Sequence, residues 1–247
     1  MSALLLRIIA CIAMLIDHIG YQYGIGFFRQ LGRIAFPIFV FLIANGYQHT
    51  SSKLRYALRL GLFALISQIP FSLFCENLVW INHGNVFVTL FMSLICIWTT
   101  DSMLRKKGLR YFAFLPTILI CLLYYFKIIS SDYGVRGIIY AFVFLYFIKE
   151  KKSNPWILVA GTLVAIYYSF ILSLVEWFVL GGAATFPTLT NWQITQAYSL
   201  FALPLILKYD GSKGRMPTSL IYAKLVQLGF YLFYPVHMLV LWLIRVF

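Results

Sequence analysis

Acidic side chains are scarce in this sequence. Seven Asp and Glu stand against 20 Lys and Arg in 247 residues, and charges of either sign make up only 11%. With 62% apolar residues and a mean hydropathy of +0.87, that excludes an ordinary soluble domain. Cysteine is also sparse: Cys11, Cys75, Cys96 and Cys121 stand singly, with no disulfide framework or metal spacing, and read as small packing residues. Four histidines on distant segments, with so few carboxylates to join them, give no metal site. A glycine-rich phosphate loop and a G-x-S-x-G elbow are both missing, which removes two common chemistries.

What is present is a series of long apolar runs. Nine approach the length of a membrane span: Leu4–Tyr23, Leu31–His49, Tyr56–Cys75, Asn85–Thr100, Tyr111–Ile128, Tyr133–Ile148, Pro155–Leu174, Trp192–Leu207 and Leu225–Val246. The fourth, sixth and eighth are short, and one of them is a candidate re-entrant segment. Thirteen Lys and Arg fall in the loops after the even-numbered spans, against four in the others (Arg29, Arg33, Lys127, Arg136). By the positive-inside rule the N-terminus is cytoplasmic and the C-terminus outside. The net charge of +13 therefore reports topology and phospholipid headgroups, not nucleic acid. Asp17-His18 sits where a signal-peptide cleavage site would fall, so the first run is expected to stay as a span. The expected fold is an all-α polytopic helical bundle of about nine spans, forming one domain over residues 1–247. The expected location is the cell (inner, cytoplasmic) membrane.

The first span carries the unusual chemistry. Arg7 and His18 are eleven residues apart, which returns them to one helix face with roughly 16 Å of rise between them. Titratable groups inside a span are costly and mark sites or pathways. Arg7 alone also fits a snorkelling helix-end cation. Twelve residues into the outward-running ninth span, His237 reaches the level of His18, and Asp17, Tyr234 and Arg33 fall near it. Arg33 either pairs with Asp17 or anchors the interface; Pro37 should free a carbonyl near it. At the cytoplasmic end, Asn45, Gln48 and His49 precede Lys53, Arg55 and Arg59. That cluster suits a phosphate-rich ligand, with positive-inside topology alone as the competing explanation. On the outer side, where Asn82 and His83 also fall, Asn85 and Thr89 are one turn apart and suggest a pocket mouth. Asp132 and Arg136 are spaced to pair with each other, next to Tyr133. The stretch Val175–Asn191 reads as a loop, a lid or an interfacial segment.

A buried histidine can act as a general base in acyl transfer or carry the acyl group itself. Met14-Leu15-Ile16-Asp17-His18 and Leu31-Gly32-Arg33-Ile34-Ala35-Phe36-Pro37-Ile38-Phe39 resemble the TraX-like family. So do Arg55-Tyr56 to Arg59-Leu60, Gln68-Ile69-Pro70-Phe71, Asn85 to Thr89-Leu90, Asp132-Tyr133-Gly134 and Tyr231 to His237. The resemblance covers nearly the whole chain. The family takes its name from a conjugative-pilus protein that acetylates the pilin N-terminus. The Arg7-to-His18 spacing is also similar to the Arg-x10-His pattern of broader membrane acyltransferase families. The resemblance implies an acetyl-CoA-dependent membrane acetyltransferase without a metal. His18 would be base or acyl carrier, assisted by Asp17 and His237. Arg7, Arg33, Asn45, His49, Arg55 and Arg59 are the expected donor-binding residues. Asn85, Asp132, Tyr133 and Tyr234 are expected to meet an acceptor, whether a peptide, a glycan or a small amine or hydroxyl compound. A transporter or flippase, or a non-catalytic membrane partner, are the rival classes; no internal repeat supports the transporter.

Overall fold

A computed structural model describes residues 1–76, 83–150, 154–182, 186–215 and 219–246. Within them the chain forms eleven α-helices and no strand. They are α1 (Ala3–Gln22), α2 (Gly26–Gly32), α3 (Ala35–His49), α4 (Lys53–Phe74), α5 (Val86–Leu104) and α6 (Leu115–Tyr125), followed by α7 (Val135–Lys149), α8 (Pro155–Val179), α9 (Asn191–Gln196), α10 (Ala202–Leu207) and α11 (Leu220–Val246). Polar residues set many of the helix starts. The side chains of Ser2, Ser52, Asn85, Asn154 and Thr190 each accept a backbone N–H of the first turn, satisfying donors that have no partner within the helix.

Six helical stretches are long and apolar enough to cross a bilayer: Ala3–Gln22, Gly26–His49, Lys53–Phe74, Val86–Leu104, Pro155–Val179 and Ile221–Val246. The nine runs of the sequence thus give six spans of full length among the described residues. The fourth, expected to be short, is a full 19-residue helix. The fifth yields only 11 α-helical residues and the sixth 15. The eighth is broken into α9, a 3₁₀ stretch (Ala197–Phe201) and α10. In place of a loop at Val175, α8 continues to Val179, carrying Glu176 and Trp177 within the helix. Asn82, Lys151 and Lys152 lie outside the described residues.

At the bundle centre, α3 buries Phe36, Ile38, Val40, Phe41, Ala44 and Tyr47. Pro37 explains why α2 and α3 are separate helices. It has no N–H to give the Arg33 carbonyl, and the chain turns at Arg33 and Ile34. Back against α1, α2 packs at near backbone distance; a Cβ on Gly32 would run into Asp17 itself. On the outside of α4, Leu58, Leu62, Leu65 and Ile69 form an exposed apolar stripe that suits lipid.

Asp101 ties three helices at one end of the bundle. It accepts from the Tyr47 hydroxyl at 2.8 Å and Arg105 Nη2 at 2.9 Å, and pairs with the Lys149 ammonium. Asp101→Ala would leave the buried Tyr47 hydroxyl unsatisfied, a cost of about 1–3 kcal/mol. Thermal unfolding in detergent should show a lower melting temperature, and an unchanged one would mean that this knot contributes nothing.

Candidate active site

Consecutive residues on a helix point about 100° apart, and α1 uses that angle to divide its polar groups. Asp17 faces α2 and the turn into α3, where it accepts Arg29 Nη1 at 2.7 Å and Arg33 Nε at 3.1 Å and pairs again with Arg33 Nη2. Side-chain exposure is 9% for Asp17 and 5% for Arg33. Arg33 is therefore a buried partner of Asp17, and its reading as an interfacial anchor is set aside. Arg29, placed in a loop by the sequence, joins the same carboxylate from α2.

His18 faces α11. Its Nδ1 lies 2.7 Å from His237 Nε2, with the two ring planes within 13° of each other and centroids 4.9 Å apart, and His237 Nδ1 lies 2.7 Å from the Phe233 carbonyl oxygen. That chain of contacts fixes the protons. A carbonyl only accepts, so His237 Nδ1 carries hydrogen and donates it. In the neutral ring His237 Nε2 is then an acceptor, and His18 Nδ1 must donate to it. The lone pair of His18 is left on Nε2. Phe74 and Tyr234 pack their rings against the His18 ring, at 5.4 and 6.2 Å.

His18 lines a cavity of about 420 Å³ together with Asp17, Arg33, His83, Asp132, Tyr133 and Tyr234. A second cavity, of about 210 Å³, is lined by Arg7, Gly46, Tyr56, Arg59, Gln227 and Tyr231. Met14, Phe39, Val86 and Tyr234 line both, so the cavities adjoin across a thin wall. Arg7 and His18 thus line two neighbouring cavities that meet at these four side chains. In the smaller chamber Arg7 lies over the Phe230 ring at 5.9 Å, and Arg59 lies over Tyr56 and Tyr231, both at 5.6 Å. Neither guanidinium is paired with a carboxylate among the described residues. The Tyr234 hydroxyl in the wall is buried without a well-formed hydrogen bond.

A hydrogen-bonded frame holds the outer rim. Gly84 N–H donates to the Ser130 carbonyl at 2.8 Å and Asp132 N–H to the Gly84 carbonyl at 3.0 Å, bringing His83 and Asp132 to the same cavity. Tyr133 stacks on Phe36 with centroids 3.5 Å apart and accepts from Arg33 at 3.4 Å. The Asp132 carboxylate makes no ion pair or side-chain hydrogen bond among the described residues. Arg136 does not pair with it, and turns instead to Ser169, Tyr168 and Trp192.

Several expected site residues do other work. Asn85 is fully buried: it caps α5 and donates to the Ala64 carbonyl at 2.7 Å and to Gln68 at 2.9 Å, away from both cavities. Thr89 is also enclosed, bonding Ser131 at 2.8 Å beneath the rim. Asn45 donates to the Tyr209 hydroxyl, His49 bonds back to the Asn45 carbonyl, and neither lines a cavity. Arg55 is exposed one turn before Arg59 and lies outside the smaller chamber. On α11, Gln227, Tyr231, Tyr234 and Met238 were not expected together as cavity walls. Their spacing at i, i+4, i+7 and i+11 was the available signal.

A bundle of membrane-length helices enclosing a histidine pair and a carboxylate held by two arginines defines a polytopic membrane protein with an internal polar site. The sequence matches the family described as TraX protein over residues 2–245, and the chain belongs to that family. It is 24% identical over 256 residues to a protein of Dichelobacter nodosus named "Probable fimbrial assembly protein FimC, serogroup H1", covering 97% of this chain and 94% of that one. No solved structure matches.

Proposed function

We propose that this protein is a membrane acyltransferase that moves an acetyl group from acetyl-CoA to an amine or hydroxyl acceptor. The observation that carries the reading is the His18–His237–Phe233 chain, which leaves the His18 Nε2 lone pair beside a cavity that adjoins a chamber with two unpaired cations. The cationic chamber lies at the end of the bundle where the basic loops gather, so the donor enters from the cytoplasm across the inner membrane. Arg7 and Arg59 hold the anionic part of the donor, with Arg55 beside the entrance. The thin acyl-bearing arm passes between the cavities at Tyr234, whose hydroxyl proton is placed to donate to the thioester oxygen.

The acceptor occupies the larger cavity. Asp132, which makes no ion pair among the described residues, accepts a hydrogen bond from the neutral amine or hydroxyl of the acceptor and so orients it. As the acceptor nitrogen or oxygen attacks the thioester carbon, His18 Nε2 takes its proton. The imidazolium that forms is stabilised by the Nδ1–H bond to His237, and the carbon–sulfur bond then breaks. That proton passes to the departing thiolate, leaving His18 neutral again. No metal is required. The relative's name, with its reference to fimbrial assembly, favours a pilus-type subunit as the peptide acceptor.

Transfer or hydrolysis of label from radiolabelled acetyl-CoA by the purified protein in detergent tests the reading. Arg59→Gln and Arg7→Gln should each raise the KM for acetyl-CoA by about tenfold with little change in kcat, since a charge-assisted contact contributes about 1.5–3 kcal/mol before solvent takes its share. No binding and no turnover by folded wild-type protein would refute an acetyl-CoA enzyme.

A further inference from the structure

Away from the histidine pair, α7, α8 and α9 enclose a third cavity of about 350 Å³, lined among others by Arg136, Ser169, Thr190, Trp192 and Gln193. Its hydrogen bonds leave a surplus of one kind. Ser169 Oγ accepts from Arg136 Nη2 and from Gln193 Nε2, both at 3.1 Å. Both lone pairs of that hydroxyl are then used, and its O–H is free to donate. Gln193 Oε1 is likewise occupied, by the Thr190 N–H at 2.8 Å and the Thr190 hydroxyl at 3.2 Å. Arg136 Nε is buried without any acceptor.

What these residues leave unsatisfied is therefore N–H and O–H, beside a full positive charge. The guanidinium lies over the Trp192 ring at 3.9 Å and the Tyr168 ring at 4.8 Å, which restrains its plane. No carboxylate among the described residues pairs with it. Arg136 is half-buried, and a cation so placed, with its Nε enclosed and without an acceptor, is costly unless an anion completes it. Around the cavity, Phe186, Leu189 and Ile194 are exposed apolar side chains suited to hydrocarbon.

We infer that this cavity is a binding site for a phosphate group, held by the planar fork of Arg136 and the Ser169 hydroxyl. The surrounding apolar residues suit the phosphate of an anionic phospholipid; a soluble phosphate offers the same chemistry. Trp192 also lines the His18 cavity, so the two sites share a wall.

The test is thermal unfolding of the delipidated full-length protein in neutral detergent. One arm compares inorganic phosphate with chloride at equal ionic strength; the other compares phosphatidylglycerol with phosphatidylcholine in mixed micelles. Wild-type protein should melt about 5–10 °C higher at a hundredfold excess of the binding ligand over its dissociation constant. Arg136→Lys keeps the charge but loses the fork, and Ser169→Ala loses the hydroxyl; each should lose at least half of that shift. A shift with phosphatidylglycerol alone identifies a lipid headgroup site, and a shift with inorganic phosphate a site open to soluble phosphates. No shift in wild-type protein with either ligand overturns the inference, as does a shift of equal size in the variants. If Arg136→Lys does not fold, Ser169→Ala decides.

Discussion

His18→Ala is expected to lower kcat for transfer from acetyl-CoA by about 10³-fold or more, with the KM for the donor nearly unchanged. The imidazole touches the reacting atoms in the proposed reaction, while donor affinity resides in the other chamber. General-base catalysis contributes about 10²–10⁴-fold, and the loss should fall within that range. His237→Ala should cost less, about 10²-fold. It removes the group that orients His18 and stabilises its protonated form, yet leaves the base in place. Steady-state kinetics on the two purified variants separate these outcomes. If His18→Ala transfers acetyl at the wild-type rate, the relay takes no part in the chemistry.

The second large effect concerns folding. Asp17→Asn should lower the melting temperature by on the order of 10 °C, or prevent accumulation of folded protein. The substitution leaves the buried guanidinium of Arg33, and part of that of Arg29, without a counter-charge, and breaking such a pair from one side costs about 3–5 kcal/mol. Asp17→Leu combined with Arg33→Leu should recover much of the loss, because both charges are then removed together. Melting curves of the single and double variants in one detergent test this. Equal loss in both would show that the carboxylate acts through packing and not through charge.

The sequence discloses these pairings unevenly. Helical rise at 1.5 Å per residue puts His18 and His237 at one depth, and Asp17 near Arg33, and both pairs meet in the structure. Depth says nothing about azimuth between helices. That is why the i, i+4 spacing pairs Arg136 with Asp132 on its own segment, whereas its actual neighbours come from α8 and α9. Asn85 misled for another reason: an Asn one residue before an apolar helix is a cap as readily as a ligand, and only its bonds to Ala64 and Gln68 decide. Apolar length does not fix helix length: Leu115–Tyr125 and the broken stretch from Asn191 to Leu207 are hydrophobic without forming long helices.

The wall of Met14, Phe39, Val86 and Tyr234 has a bioenergetic consequence. An open channel joining the chamber of Arg7 to that of His18 would short-circuit the membrane, letting water and protons run down any gradient across it. Met14, Phe39, Val86 and Tyr234 stand where such a channel would run. In the proposed reaction a slender acyl arm would fill that gap as it passes, and the bilayer would stay electrically tight during transfer.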